Sequence, residues 1–174
     1  WYQRAADQGN SKAQLILAAK YDRGLIVEKD DSRAIKYYRL AADQGQEDAQ
    51  FALGVKYENG HGVAKDIVKA NKWYEKAALK GHSSAQFNLG LSNHRGEGVA
   101  KDPKRAALWM RQAAEQGLVK AQTNMGIYYA TGKGVHQDNA QAFRWLKISA
   151  DQGSENSSRA LKLQRFGRVQ QLFA

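Results

Sequence analysis

The sequence repeats itself every 36 residues, and this period constrains the fold more than any other feature. The stretch that begins at Ala49 restarts at Ala85 and Ala121, and Ala13 marks an equivalent earlier start. A fixed period of this length indicates stacked supersecondary units rather than one globular core. We therefore divide residues 1–174, treated as a single domain, into a partial repeat (1–12), four full repeats (13–48, 49–84, 85–120 and 121–156) and a degenerate C-terminal cap (157–174).

Each repeat carries two helical patterns, which we call helix A and helix B. In the second repeat, helix A is predicted at 47–59, and Gly60 ends it as a left-handed cap. Asp66 is predicted to be the N-cap of helix B, because its carboxylate can accept hydrogen bonds from first-turn amides. A glycine inside a helix costs about 1 kcal/mol relative to alanine. Gly54 therefore indicates that another helix packs closely at this point.

Composition narrows the classes of partner and of chemistry. Lys and Arg total 27 against 17 Asp and Glu, a formal net charge of +10. Such a charge favours acidic protein surfaces, anionic membranes or nucleic acid. The chain has no cysteine, which excludes disulfides and thiolate zinc sites. No apolar run approaches the roughly 18 residues that a membrane-spanning helix needs.

No residue pattern points to catalysis. The paired glycines, as at Gly60 and Gly62, follow a helix and recur in each copy, so they indicate turns rather than a phosphate loop. The four histidines include no pair four residues apart, which favours surface histidines; a functional role for His94, on helix A, is the lesser alternative. We find neither a serine nucleophile motif nor a defensible carboxylate pair. The chain is therefore expected to be no enzyme and to hold no cofactor or metal.

Aromatic and basic residues must be considered together, because a nucleic-acid site needs stacking platforms beside a basic track. The aromatic residues recur at positions predicted to be core, as at Trp73 and Tyr74, so few remain free for stacking. Several lysines and arginines fall on the outer face of helix B. A solvated outer face is the simplest interpretation of them, and an anionic membrane or nucleic acid is the alternative partner.

The repeat motifs resemble those of the Sel-one-like repeat family, within the tetratricopeptide-like helical repeats. The second repeat carries the pattern at Ala49, Leu53, Gly54, Gly60, Gly62, Val63, Asp66, Lys69, Ala70, Trp73, Tyr74, Lys76, Ala77 and Ala78. The resemblance implies an all-α fold, an α/α right-handed superhelical solenoid that serves as an adaptor or scaffold for proteins. It also favours a bacterial, periplasmic or secreted protein, and includes members that neutralise toxins. Cysteine-rich members are linked to β-lactam binding, but this chain lacks their cysteines.

The predicted partner-binding groove lies on helix A, which lines the concave side of such a superhelix. Positions 52, 56 and 59 of the second repeat lie outside the predicted core and share one helix face. These positions vary between repeats while the predicted core stays constant. Across the four repeats they are Ile16, Lys20, Arg23, Ala52, Lys56, Asn59, Asn88, Ser92, Arg95, Asn124, Tyr128 and Thr131.

The sequence therefore favours a non-catalytic scaffold or adaptor that holds a protein or peptide, preferably an acidic one. An inhibitor or immunity protein is a special case of this function, and no small-molecule substrate is expected. The alternatives are an enzyme acting on cell-wall or β-lactam substrates, and binding of nucleic acid or anionic membrane. Replacing Lys20, Lys56 and Arg95 by Glu is expected to abolish partner capture without lowering the melting temperature.

Overall fold

The fold is entirely helical over residues 1–164, the part of the chain that the computed structural model describes. The ten helices in this range are α1 (Tyr2–Asp7), α2 (Ser11–Arg23), α3 (Asp31–Asp43), α4 (Glu47–Asn59), α5 (Ile67–Leu79), α6 (Ser83–Arg95), α7 (Pro103–Glu115), α8 (Val119–Thr131), α9 (Asn139–Asp151) and α10 (Glu155–Gln164). The even-numbered helices are helices A, and the odd-numbered ones are helices B. The predicted cap begins with a helix, and its remainder, 165–174, lies outside the described residues.

Local sequence signals set the helix ends as predicted. The Asp66 carboxylate accepts a hydrogen bond from the Lys69 amide at 2.9 Å, and Gly60 ends α4 with φ 75°. The first repeat departs from this pattern. Ile26 stands where the second repeat has Gly62, and it keeps the left-handed backbone at φ 70°. A side chain with a branched Cβ is strained in this conformation, and Ile26 is 92% exposed.

The mid-helix glycines allow helix A and helix B to pack closely, as predicted. A Cβ built at Gly54 would lie 2.5 Å from Tyr74 Cδ1. At Gly126 it would lie 2.5 Å from Leu146 Cγ. Tyr74 and Leu146 are fully buried. Each glycine therefore gives room to one large side chain of the facing helix.

The chain forms two compact units, unit 1 (Trp1–Ala85) and unit 2 (Gln86–Ala174). In unit 1, Tyr38 and Leu53 belong to the buried cluster, and Trp73 packs against it. In unit 2, Met110 and Met125 are fully buried, and Trp145 packs against them. These tryptophans and tyrosines fill space between helices, as their place in the repeat predicts, whereas Trp1 and Tyr2, at the same positions of the partial repeat, are exposed.

A buried glutamine near the start of helix A fixes neighbouring helices to one another. In unit 1, Gln14 donates to the Ala6 carbonyl at 3.1 Å and accepts from Gln44 at 2.8 Å. In unit 2, Gln122 forms the same pair of bonds with Ala114 and Gln152. Each amide thus engages one N–H and its oxygen. We call each of these arrangements a glutamine joint.

Among the helices of residues 1–164, none combines the length and the apolar character needed to cross a bilayer.

Candidate partner-binding surface

The twelve residues predicted to line the groove occupy three positions of the repeat, which we call rows, and six of them lie in each unit. The first row is partly buried and consists of Ile16, Ala52, Asn88 and Asn124. The third row is exposed and consists of Arg23, Asn59, Arg95 and Thr131. In the middle row Lys20 is partly buried, whereas Lys56 is 7%, Ser92 8% and Tyr128 2% exposed. The expectation of an open floor is therefore wrong for most of the middle row. Binding by the other two rows stays a prediction.

Lys56, in unit 1, is engaged by groups of its own chain. Its ammonium forms an ion pair with the Asp22 carboxylate and lies 3.9 Å from Asp31 Oδ1. The Tyr38 hydroxyl donates to the second Asp22 oxygen at 3.3 Å. Burial, and then the Asp22 carboxylate, raise the pKa of Tyr38 to about 12. Lys56 is therefore not free for a partner, and glutamate at this position would crowd three carboxylates together.

Tyr128 occupies the corresponding position in unit 2, 72 residues further on. Its hydroxyl lies 2.6 Å from Nδ1 of His94, and the two rings stack with their centroids 5.5 Å apart. Burial alone raises the pKa of Tyr128 to about 12. His94 is itself the counterpart of Asp22, so both units join consecutive A helices at the same point. One unit uses an ion pair there, and the other uses stacked rings.

The interpretation of His94 as a simple surface histidine is corrected by these contacts. The Lys133 ammonium lies 3.2 Å from Nε2 of His94. An ammonium can only donate, so Nε2 accepts, and Nδ1 carries the proton that it donates to Tyr128. Burial, followed by the charges of Lys133, Lys101 and Arg95, lowers the pKa of His94. The neutral imidazole is therefore favoured. The contact between His94 and Tyr128 could have been predicted from the sequence, because the two residues have the same spacing of 34 as Asp22 and Lys56.

The remaining cations of the predicted surface are more accessible. The Lys20 ammonium lies 4.8 Å from the centre of the Tyr2 ring, and Arg23 next to it on α2 is exposed. Arg95 is exposed and lies 3.7 Å from a Glu97 oxygen. An ion pair between exposed groups contributes only about 0–1 kcal/mol, so it can be exchanged for a partner's carboxylate. The predicted preference for an acidic surface depends on these three residues and stays a prediction.

A pocket of about 340 Å³, lined by both polar and apolar surface, opens beside Asn124 in unit 2. It lies between the N-terminal parts of α8 and α10: Lys120 and Thr123 belong to α8, Asn156 belongs to α10, and Ser154 immediately precedes α10. The ring of Phe87, on α6, forms an apolar wall. Of these lining residues, only Asn124 was predicted from the sequence as part of the groove. No group of three or more histidine, aspartate or glutamate residues within 1–164 could hold a metal ion.

Comparison with known proteins defines the class of this chain. The Sel1 repeat family profile matches residues 1–10, 11–46, 47–82, 83–118 and 119–154. The chain therefore belongs to the Sel1 repeat family, as its motifs predicted, and its fold is an α/α helical-repeat solenoid. Sel1 repeat proteins are generally non-enzymatic scaffolds for protein interactions.

Solved structures of similar proteins come from bacteria. A protective antigen of uropathogenic Escherichia coli is 40% identical with a TM-score of 0.92, over 97% of this chain and 36% of the antigen's. A Sel1 repeat protein from Oxalobacter formigenes is 39% identical with a TM-score of 0.84, over 88% of this chain and 63% of that one. An immunity protein from Pseudomonas aeruginosa, 23% identical, shares the fold with a TM-score of 0.57, over 85% of this chain and 55% of that one. This chain thus spans only part of the length of these proteins. No curated protein matches the sequence.

Proposed function

We propose that this chain is a non-catalytic scaffold that binds a partner protein or peptide through the exposed positions of its A helices. The observation that carries this proposal is the contrast between two sets of positions on the same helices. The position of Gln14 holds glutamine in all four full repeats, whereas the third row reads Arg, Asn, Arg and Thr. A constant buried glutamine beside a variable exposed row is expected where a common frame presents a surface specific to one partner.

Charge supports an acidic partner. The formal net charge is +10, and Lys20, Arg23 and Arg95 place cations on the A helices. Complementary charge speeds association and selects against wrong partners. Nucleic acid is the weaker candidate because the rings that would stack on bases are engaged in packing, as with Trp109, which is 7% exposed.

The proposal is tested by charge reversal on two surfaces. The first variant combines Lys20→Glu and Arg23→Glu on α2. The matched control combines Lys72→Glu and Lys104→Glu, two exposed lysines on helices B, and changes the net charge equally. Lys56 is left intact because its replacement would disturb folding.

Both variants and the wild-type chain serve as baits in nuclease-treated extract of the source organism, and captured proteins are quantified by mass spectrometry. We expect an acidic protein that is enriched by the wild type and the control and lost with the α2 variant, at unchanged melting temperatures. Equal loss with both variants would indicate bulk charge attraction and contradict the proposal. Capture of nucleic acid in untreated extract, with no enriched protein, would favour the alternative.

A toxin is one class of partner that such a scaffold could serve. The immunity protein among the structural neighbours shares only the fold with this chain. Expression of the captured protein with and without this chain, followed by growth measurement, would show whether the chain neutralises it.

A further inference from the structure

In unit 2, the contact between α8, α9 and α10 differs chemically from the equivalent contacts between helices of the earlier repeats. It brings together four hydroxyl side chains, those of Thr123, Ser149, Ser154 and Ser157. The equivalent positions in unit 1 are Phe51, Ala77, His82 and Ala85. The copy 36 residues earlier has Phe87, Ala113, Leu118 and Ala121. Four positions have therefore changed together, from apolar and ring side chains to small hydroxyls.

The ring residues of unit 1 show what this change removes. Phe51 and His82 stack with their centroids 4.4 Å apart, and Phe51 also packs against Tyr74 at 5.8 Å. In unit 2 the place of these two rings is taken by Thr123 and Ser154, both of which line the 340 Å³ pocket. The pocket is thus the space that opens when two rings are replaced by small side chains. Its volume is within the range typical of ligand pockets.

Two of the hydroxyl side chains, Thr123 and Ser154, line this pocket, and Thr123 is in turn hydrogen-bonded to Ser149 and Ser157. Ser149 and Ser157 are fully buried. Thr123 Oγ1 lies 2.7 Å from Ser149 Oγ, 2.9 Å from Ser157 Oγ, 3.2 Å from Ser154 Oγ and 3.1 Å from the Val119 carbonyl. A hydroxyl has one proton and two lone pairs, so it can satisfy three of these four contacts. The Ser154 contact is the longest. Ser154 Oγ also accepts from the Ser157 amide at 3.3 Å, so its proton is the group that it can offer to a ligand.

The groups around the rim define the chemistry of that ligand. Lys120 is exposed, and its ammonium has no ion pair within residues 1–164. The Asn124 amide donates to the Lys120 carbonyl at 2.8 Å, so its side-chain oxygen remains as an acceptor. Asn156 is exposed and offers both a donor and an acceptor. Ammonium, hydroxyl and amide donors suit a carboxylate, and the Asn124 oxygen suits a neighbouring peptide N–H.

We infer that this pocket, which we call the hydroxyl pocket, binds an acidic residue of a partner peptide. Lys120, Ser154 and Asn156 hold the carboxylate, Asn124 accepts from the adjoining backbone amide, and Phe87 packs against an apolar side chain beside it. The inference rests on the proposed scaffold function and assigns one contact point to it. The pocket favours a carboxylate over its amide analogue because the amide NH2 group is itself a donor, and it would face the donors of Lys120 and Ser154 without an acceptor.

The pocket can be closed with the residues that the chain itself uses in unit 1. The refilled variant combines Thr123→Phe, Ser149→Ala, Ser154→His and Ser157→Ala. Circular dichroism and thermal melting report whether it folds. Two exposed substitutions that leave the floor intact, Lys120→Ala and Asn156→Ala, give a second test without repacking, and Lys104→Ala on α7 is their control.

The probe is an array of labelled heptapeptides, each with one central Asp or Glu and varied apolar neighbours, paired with the same peptides carrying Asn or Gln. Affinities of the best pairs are measured by fluorescence anisotropy. We expect the acidic peptide to bind at least about tenfold more tightly than its amide analogue, and the refilled variant to lose about tenfold or more. Lys120→Ala should cost about threefold, as expected for an exposed ion pair, and Lys104→Ala nothing.

Equal binding of acidic and amide peptides, or wild-type affinity in both the refilled and Lys120→Ala variants, would overturn the inference. Competition by free glutarate at the same concentration as the peptide would show a small-molecule carboxylate site and overturn the peptide assignment. Failure of the pocket is distinguishable from failure of the scaffold. If Lys20→Glu with Arg23→Glu abolishes partner capture while the peptide array shows no carboxylate preference, the scaffold holds and the hydroxyl pocket does not.

Discussion

Replacing Lys56 by methionine tests whether the middle row belongs to the interior of unit 1. The Lys56 side chain is 9% and the Asp22 side chain 23% exposed. Removing one partner of a fully buried ion pair costs about 3–5 kcal/mol. Asp22 keeps some hydration and the Tyr38 hydroxyl, so we expect Lys56→Met to lower the free energy of unfolding by about 2–3 kcal/mol.

The assay is urea denaturation followed by circular dichroism and by tryptophan fluorescence. Two probes are needed because repeat arrays can unfold in parts. Lys20→Met is the matched control: its ammonium contacts only a ring within the described residues, so it should cost at most about 1 kcal/mol. Adding Asp22→Asn to Lys56→Met should recover at least about 1 kcal/mol, because a neutral amide is cheaper to leave unpaired than a carboxylate. A loss below about 0.5 kcal/mol in Lys56→Met, or no recovery in the double variant, would refute the reasoning.

Three further substitutions and one titration test the packing and the electrostatics. Gly54→Ala should lower the free energy of unfolding in urea by about 1–2 kcal/mol, since overpacking against Tyr74 outweighs the gain in helix propensity; a gain would contradict the close packing. Ile26→Gly should raise the free energy of unfolding by about 0.5 kcal/mol, because glycine relieves the left-handed backbone strain without loss of contacts. An unchanged free energy of unfolding would show that the turn is unstrained. Tyr128 is protonated in the folded state to about pH 12 and ionises near pH 10 when unfolded, so stability should fall between these values; Tyr128→Phe should flatten this decline in alkaline denaturation curves. The pKa of His94 is lower in the folded than in the unfolded chain, so the unfolded chain takes up a proton at higher pH and stability should fall as the pH drops below 6.5. NMR titration of the His94 imidazole should show a midpoint below 6.5. A midpoint at or above 6.5 would contradict the contacts.

Local features of the fold could be predicted from the sequence to the residue. Helix A of the second repeat was predicted at 47–59 and is α4 (Glu47–Asn59). Asp66 and Gly60 set the helix ends through their own side chain or backbone freedom, and Gly54 marks a packing contact that recurs with the period. Such features depend on a few neighbouring residues, so they can be predicted without the tertiary structure.

The burial of the middle row could not be predicted from one helix at a time. The position of Lys56 lies at the edge of the core stripe, and helix periodicity does not say whether the next repeat covers it. A lysine at this position is expected to face solvent. Its ion-pair partner is Asp22, which lies 34 residues earlier in the sequence. The same offset joins Tyr128 to His94. These pairs depend on contact between repeats, which single-helix patterns do not contain.

The hydroxyl pocket corresponds to a sequence change that is recognisable only when several positions of the repeat are compared together. The change of Phe51 to Thr123 is unremarkable by itself. Its meaning becomes visible when it is read with Ser149 and Ser157, which replace alanines in three earlier copies. The contacts between these side chains exist only in the folded protein, so the pocket could not be predicted from an alignment of the repeats alone.

The glutamine joints have a consequence for how such chains can change in length. Gln122 uses its donor on one neighbouring helix and its acceptor on the next, so moving a helix pair along its neighbour by even one residue would strand two buried polar groups. Adding or removing a whole 36-residue module preserves the bond from the glutamine to a carbonyl, which Gln50 also forms with Ala42, whereas a module of 35 or 37 residues has to absorb the difference in an exposed turn. Growth and shrinkage of the array are therefore stepwise, and the surface residues of each module can diversify without shifting the modules on either side.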